Sequence, residues 1–139
     1  MGSAAGTPLL HGKITSQVLR CFYRVYDRLG FGFLESVYCN ALAHELTGAN
    51  ISYEREVPIQ VWYDGMCIGA FRADFVVAGQ VIVEAKASEL VNEAHRKQLM
   101  NYMRCSTLEV GLLLHFGPKA TFQRIVYTNT HKLGLPAPK

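Results

Sequence analysis

The segment from Val57 to Lys86 constrains the fold most, because its apolar residues alternate with other residues and two turn signals divide it. Such alternation is typical of strands that bury one face. Asp64-Gly65 is a strong signal for a two-residue hairpin turn, and Gly79 marks a second turn. The predicted strands are about Val57 to Tyr63, about Met66 to Val77, and Val81 to Lys86. Together they predict an antiparallel three-stranded meander.

Helical periodicity flanks this meander on both sides. The predicted helices run from Ile14 to Leu29, from about Leu34 to Leu46 and, capped by Ser88, from about Ser88 to Met103. Two further strands are predicted at Val110 to Phe116 and at Phe122 to Tyr127. Because strand, helix and strand follow in succession, we expect the third helix to be a right-handed crossover within one sheet. The fold class is therefore α/β, with helices packed on a mixed central sheet in the order α-βββ-α-β.

Composition predicts one domain without a membrane segment. The chain has 139 residues, 50% of them hydrophobic, which suits a single packed core, and no apolar run reaches the length of a bilayer crossing. We expect a flexible leader at residues 1–10, one domain at 11–130 and a tail at 131–139. The first residues show no secretory signal, which predicts an intracellular protein, either cytoplasmic or in the nucleus or nucleoid.

The cysteines and the net charge narrow the functional classes only a little. The four cysteines have no paired spacing, which argues against a zinc knuckle or a disulfide scaffold and favours reduced, mostly packed thiols. A formal net charge of +3 permits a polyanionic partner without requiring one.

The second hairpin brings two acidic residues together. If Ala78-Gly79-Gln80 is a three-residue loop, Asp74 lies directly across from Glu84. Two carboxylates held as cross-strand neighbours repel each other unless a proton or a cation lies between them. Lys86 projects from the same face as Glu84, two residues further along the strand. This register leaves a uniformly apolar opposite face, formed by Phe75, Val77, Val81, Val83 and Ala85.

The chemistry of this trio predicts a metal-assisted hydrolysis. Two carboxylates with water suit a hard cation such as Mg²⁺, which also binds substrate phosphate oxygens. A nearby ammonium group can position water or stabilise developing negative charge, so phosphodiester hydrolysis is the natural reaction. Two alternatives remain open: Glu84 and Lys86 form a weak surface ion pair, or Asp74 binds Arg72 or Arg55.

Three further groups of residues accompany the trio. Glu35 and Tyr38 share one face of the second helix, and we expect a functional role for Glu35 and a structural one for Tyr38. Gln98 and Tyr102 form an i, i+4 pair on the third helix. His95, Arg96 and Lys97 precede them and are candidates for phosphate contact, although such clusters are more often a solvated helix surface.

These motifs resemble a known family. Gly32, Glu35 and Tyr38 match the naming motif of the GxxExxY proteins, which are placed in the PD-(D/E)XK nuclease superfamily. Asp74 and Glu84-Ala85-Lys86 match the superfamily's D and ExK elements, with Ala73 where the superfamily's name has proline. The segment from Gln98 to Tyr102 resembles the QxxxY motif of the RecB and lambda-exonuclease branch. The resemblance covers about Ile14 to Tyr127 and implies a restriction-endonuclease-like core.

The resemblance also implies roles for individual residues. Asp74 and Glu84 would bind Mg²⁺ or Mn²⁺, with the Ala85 carbonyl as a further ligand and Glu35 as an additional, water-mediated one. Lys86 would activate or orient water. Gln98 and Tyr102 would steady that lysine or touch the scissile phosphate.

The function expected from the sequence is a Mg²⁺-dependent, exonuclease-like deoxyribonuclease acting on single- or double-stranded DNA. The alternative is a non-catalytic module that keeps the fold and binds nucleic acid or a protein. Hydrolysis of another phosphate ester is a third, weaker alternative. Because 139 residues are little more than a catalytic core, a homo-oligomer or a partner protein is expected to supply selectivity.

Overall fold

The structure is a computed structural model that describes residues 9–132. The predicted leader and tail lie outside the described residues, apart from residues 9–10 and 131–132. The elements in chain order are α1 (Gly12–Leu29), α2 (Glu35–Gly48), β1 (Tyr53–Tyr63), β2 (Met66–Val77), β3 (Val81–Lys86), α3 (Glu93–Arg104), β4 (Val110–Phe116), β5 (Ala120–Val126) and a short 3₁₀ helix (Asn129–His131). Within the described part of the chain, no helix has the length and apolar character needed to cross a membrane.

The five strands form one mixed sheet in the order β1-β2-β3-β4-β5. The pairs β1 with β2, β2 with β3 and β4 with β5 are antiparallel, whereas β3 and β4 are parallel and are connected through α3. Both predicted hairpin turns are confirmed: Tyr63 pairs with Met66, and Val77 pairs with Val81. Asp64 and Gly65 both have positive φ, as a tight two-residue turn between twisted strands requires.

Helices cover both faces of the sheet. On one face, α1 and α2 pack against the predicted apolar face, which is wholly buried and is extended by apolar residues of β4. On the other face, α3 packs through Leu99 and Met103 against Ile82 and Leu113. Gly111 of β4 permits this close approach, because a Cβ there would lie 2.8 Å from the Met103 sulfur. The predicted α/β class and element order are therefore confirmed.

The predicted start of α3 at Ser88 is wrong. Helix α3 begins at Glu93, and the side chain of Asn92 caps it by accepting a hydrogen bond from the Ala94 amide. The Ser88 hydroxyl is used elsewhere, because it donates to the Leu90 carbonyl and contacts the His115 ring. A loop over residues 87–92 therefore separates β3 from α3.

The first hairpin extends beyond the rest of the sheet. Strand β2 has 12 residues, but only Phe75, Val76 and Val77 pair with β3. Strand β1 begins at Tyr53, four residues before the predicted start, because backbone pairing with the end of β2 continues through polar residues of this edge strand. The sheet therefore opens between β2 and β3 immediately beyond Phe75 and Val83, at the positions of Asp74 and Glu84.

Candidate active site

Asp74 and Glu84 meet where the backbone pairing of β2 with β3 ends. The described pairs stop at Phe75 and Val83, so Asp74 and Glu84 occupy the next position in the predicted register. There the side chains replace the backbone ladder: the Asp74 amide donates to Glu84 Oε2 at 2.6 Å, and the Ala85 amide donates to Asp74 Oδ2 at 2.8 Å. One oxygen of each carboxyl is thus held by backbone. No hydrogen bond within residues 9–132 uses the other oxygen of either group.

Burial makes both carboxyls hard to ionise, and the charge of Asp74 adds to this effect at Glu84. Glu84 is only 4% exposed, and its desolvation together with the negative charge of Asp74 raises its pKa to about 7, against the hydrogen bond from the Asp74 amide. Desolvation also raises the pKa of Asp74, although the hydrogen bond from the Ala85 amide opposes this. A cation between the carboxyls would favour the ionised form of both.

Within the described residues, no arginine neutralises the pair through a direct contact. Arg55 donates to the Asn40 side chain at 2.9 Å and lies over the Phe75 ring, while Arg72 lies 3.8 Å from Glu56. The alternative in which Asp74 binds Arg55 or Arg72 is therefore wrong for the described residues. Lys86 likewise forms no ion pair within 4.0 Å in this part of the chain, so the alternative of a Glu84–Lys86 ion pair is also wrong.

Lys86 ends β3 beside the carboxyls. It is half-buried and pairs in register with His115 of the parallel strand β4. Its positive charge acts to lower the pKa of both Asp74 and Glu84, which places the ammonium group within their electrostatic environment. The structure thus brings together the three residues that the hairpin register predicted.

Glu35 reaches the same region from the first residue of α2. Its Oε2 accepts a hydrogen bond from the Ala87 amide at 3.2 Å, just beyond the end of β3. Its side chain is exposed, and its negative charge contributes to raising the pKa of Asp74 and Glu84. Glu35 therefore lies at the rim of the site, in contact with the segment that follows Lys86.

The turn before α2 is held by Tyr38. Its ring is fully buried and stacks on Phe116 with centroids 4.2 Å apart, while its hydroxyl donates to the Gly30 carbonyl and accepts from the Phe33 amide at 3.3 Å. Gly32 has φ 120°, a conformation that favours glycine. The expected structural role of Tyr38 is confirmed, since it fixes the turn from which Glu35 projects.

Gln98 and Tyr102 lie on α3 in different environments. Tyr102 is half-buried and stacks on Phe71 of β2 with centroids 3.6 Å apart. Burial raises the pKa of Tyr102, and the negative charges of Glu84 and Asp74 add to this effect. Gln98 is exposed and forms no side-chain hydrogen bond within residues 9–132, so its predicted contact with Lys86 is not present in the described geometry.

The three residues before Gln98 do not form one uniform surface. His95 lines a small cavity with Lys86 and His115, and burial followed by the positive charge of Lys86 lowers its pKa. Arg96 is half-buried and donates to the Met100 sulfur, one turn further along α3. Lys97 is exposed. Of the three, His95 lies next to the catalytic candidates.

His115 and Ser88 are neighbours of the site that sequence reasoning missed. The His115 ring is 6% exposed, and its Nε2 lies 2.9 Å from Ser88 Oγ. Because the single hydroxyl proton of Ser88 is donated to the Leu90 carbonyl, His115 Nε2 is the donor in this contact. The only available signal was the parallel register that pairs His115 with Lys86, and no local turn determines that register.

The sequence model of the PD-(D/E)XK nuclease superfamily matches residues 12–125. This chain belongs to the PD-(D/E)XK nuclease superfamily. The match confirms the predicted superfamily and its restriction-endonuclease-like fold, while the narrower GxxExxY resemblance stays a prediction.

Comparison with curated proteins and with solved structures supports the fold but no specific function. No curated protein matches the chain. Among solved structures, "Crystal structure of SSO0001" is similar, with a TM-score of 0.52 and 22% sequence identity over 67% of this chain. The matched region is 50% of the length of the chain in that structure.

PD-(D/E)XK nucleases generally use divalent metals, and the donor set here fits such an ion. Within residues 9–132, no three His, Cys, Asp or Glu side chains are grouped closely enough to hold a metal by themselves. The buried carboxyl of Glu84 and the half-buried carboxyl of Asp74 each keep one oxygen without a described hydrogen bond. Two carboxylates completed by water and substrate phosphate are a typical Mg²⁺ environment, whereas soft metals require sulfur or imidazole ligands.

All four cysteines are free. Cys21 and Cys39 are buried and Cys105 is half-buried, but Cys67 is exposed on β2, so the expectation of mostly packed thiols does not hold for it. Burial, with the charge of Asp74 adding to it, raises the pKa of the Cys39 thiol to about 12, which leaves this group protonated and unreactive.

Proposed function

We propose that this chain is a divalent-metal-dependent nuclease that hydrolyses DNA phosphodiester bonds in an exonuclease-like manner. The observation that carries the proposal is the contact between Asp74 and Glu84 at the opening of the sheet, with Lys86 beside it. Membership of the PD-(D/E)XK superfamily supports a nuclease, and the QxxxY resemblance of Gln98 and Tyr102 favours action at strand ends.

In this proposal, Asp74 and Glu84 would hold Mg²⁺ or Mn²⁺. The Ala85 carbonyl would be a further ligand, and Glu35, at the rim of the site, would contribute through water. When bound, such an ion neutralises charge on the phosphodiester and makes water more acidic. The residues of the chain orient the reacting groups around it.

Lys86 is the group best placed to orient the attacking water or to stabilise negative charge that develops on the phosphate. Tyr102, whose ring stacks on Phe71, is assigned to contact with the scissile phosphate. Gln98 is exposed one turn before it and is available to substrate. His95, Arg96 and Lys97 extend the phosphate contact along α3.

The proposal is tested with fluorescently end-labelled single- and double-stranded DNA incubated with Mg²⁺ or Mn²⁺. We expect cleavage by the wild type and by Lys119→Ala, which removes an exposed lysine in the turn between β4 and β5. Lys86→Ala should reduce the rate by about 100-fold or more, and a chelator should abolish it. Cleavage that persists unchanged in Lys86→Ala would contradict the assignment.

The same labelled DNA and protein variants distinguish a nuclease from a non-catalytic binding module. DNA binding without cleavage, with either ion, would replace the nuclease proposal by the non-catalytic binding module. A covalently closed plasmid tests the requirement for ends. An exonuclease leaves the closed form intact and degrades the linearised form.

A further inference from the structure

A basic groove lies between α1 and α2, outside the carboxylate site. Its volume is about 430 Å³, and its arginine, histidine and glutamate lining residues are Arg20, Arg24, Arg28, His44 and Glu45. The three arginines are spaced at i, i+4 and i+8 on α1, so they form one stripe along that helix. We refer to these five residues as the arginine groove.

The arginines are only weakly neutralised. Arg24 and Arg28 share the carboxylate of Glu45 at 3.6 and 3.7 Å, and their side chains are 64% and 73% exposed. The Glu45 side chain is only 13% exposed, but the two guanidinium groups face solvent, where one carboxylate shared between them leaves further N–H donors for another anion. Arg20 has no ion pair within 4.0 Å in the described part of the chain. Three guanidinium groups thus face one carboxylate, an excess of positive charge in a chain whose net charge is only +3.

The position of the groove relates it to the proposed active site. Helix α2 begins at Glu35, which contacts the end of β3, and contributes His44 and Glu45 to the groove. These two residues are nine and ten positions after Glu35, which corresponds to about 14 to 15 Å along the helix axis. The groove therefore cannot contact the scissile bond itself, but it lies within reach of the same nucleic acid molecule.

The stripe has dimensions that suit a phosphate backbone. From Arg20 to Arg28 the helix rises about 12 Å. One strand of a duplex carries one phosphate per 3.4 Å of axis, so the stripe spans roughly three to four phosphates. Guanidinium groups bind phosphate oxygens through paired hydrogen bonds, whereas an apolar ligand would find few partners among these side chains.

We propose that the arginine groove binds the phosphate backbone of a polynucleotide several nucleotides away from the bond that is cut. This inference rests on the proposed function, since it makes the nucleic acid substrate the occupant of the groove. Guanidinium contacts to phosphate do not distinguish DNA from RNA, so both are used in the test.

The test is fluorescence anisotropy of end-labelled 20-nucleotide single-stranded DNA and RNA, in a chelator so that no cleavage occurs. The groove variant carries Arg20→Gln, Arg24→Gln and Arg28→Gln. The matched control carries Arg72→Gln, Arg104→Gln and Lys119→Gln, which removes the same charge from exposed positions elsewhere. Circular dichroism and thermal melting establish that both variants fold.

We expect the groove variant to bind at least about tenfold more weakly than the control and to lower the slope of log affinity against log salt by about 2, the value for three lost phosphate contacts on a single strand. Equal losses in the two variants would overturn the inference, because net charge alone would then explain binding. Dependence of binding on the groove, with DNA or with RNA, supports the inference.

A second variant keeps the test decisive if the triple substitution fails to fold. Glu45→Gln removes the carboxylate that competes with phosphate, so it should bind the oligonucleotide more tightly than the wild type. Unchanged or weaker binding by Glu45→Gln would contradict the inference. Groove-dependent binding by a wild type that cleaves nothing would reject the proposed nuclease function but not the groove, whereas cleavage with groove-independent binding would reject the groove alone.

Discussion

Replacing Glu84 by glutamine should stabilise the metal-free protein at neutral and alkaline pH. The amide is nearly isosteric with the carboxyl, and its oxygen can still accept the hydrogen bond from the Asp74 amide that Glu84 Oε2 accepts. The substitution removes a negative charge from a site that is 4% exposed and next to the charge of Asp74. The charge, rather than the packing, is therefore the main difference between the two proteins.

The size of the effect follows from the pKa of Glu84. Its ordinary pKa is 4.5, and the folded protein raises it to about 7. Below pH 4.5 the carboxyl is protonated in both states and imposes no penalty. Between these values only the unfolded state releases the proton, so the free energy of unfolding falls as the pH rises, by about 3 kcal/mol in all. Asp74, whose pKa is also raised, contributes in the same direction.

The assay is urea denaturation of wild type and Glu84→Gln in a chelator at pH 4.5 and pH 8. We expect similar stabilities at pH 4.5 and an advantage of about 3 kcal/mol for the variant at pH 8. Glu89→Gln, which changes an exposed glutamate in the loop before α3, is the control and should show no such advantage. A Glu84→Gln variant that is less stable than the wild type at pH 8 would refute the reasoning.

Three further predictions concern the site and the packing beneath it. Divalent ions should raise the melting temperature of the wild type at pH 8 but progressively less as the pH falls below about 7, where Glu84 takes up a proton; a constant shift from pH 5 to pH 8 would contradict its role as a ligand. Tyr38→Phe removes the hydrogen bond from the Tyr38 hydroxyl to the Gly30 carbonyl and should lower the free energy of unfolding, measured by urea denaturation, by about 1 kcal/mol. If the turn positions Glu35, the variant should also cleave DNA more slowly under conditions in which it is fully folded. Gly111→Ala overpacks the contact between β4 and α3 and should cost about 1 to 3 kcal/mol, whereas an unchanged unfolding midpoint would show that α3 shifts freely.

The hairpin of β2 and β3 was predictable because residues within and next to it determine its register. The turn over residues 78–80 fixes which residues of β2 and β3 face each other, and the apolar alternation permits only one register. The proximity of Asp74 and Glu84 follows directly from these two constraints. The assignment of Tyr38 to a structural role was likewise predictable from its helical face and aromatic character.

Features that depend on distant parts of the chain were not predictable. Nothing in the sequence fixes the parallel register of β3 with β4, so the position of His115 beside Lys86 required the structure. Ser88 has the residue type of a helix cap, but its hydroxyl is engaged by His115 and Leu90, and Asn92 caps α3 instead. The arginine groove depends on how α1 and α2 cross, which periodicity alone does not determine.

The interrupted ladder between β2 and β3 gives the protein two built-in reporters. The amide protons of Asp74 and Ala85 are protected by carboxylate oxygens rather than by carbonyls of a neighbouring strand. Their exchange with deuterated solvent should therefore follow the occupancy and protonation of the acidic pair, while the amides of Phe75 and Val83 follow the opening of the sheet. On each strand, two adjacent amides thus report separately on the state of the acidic pair and on the opening of the sheet.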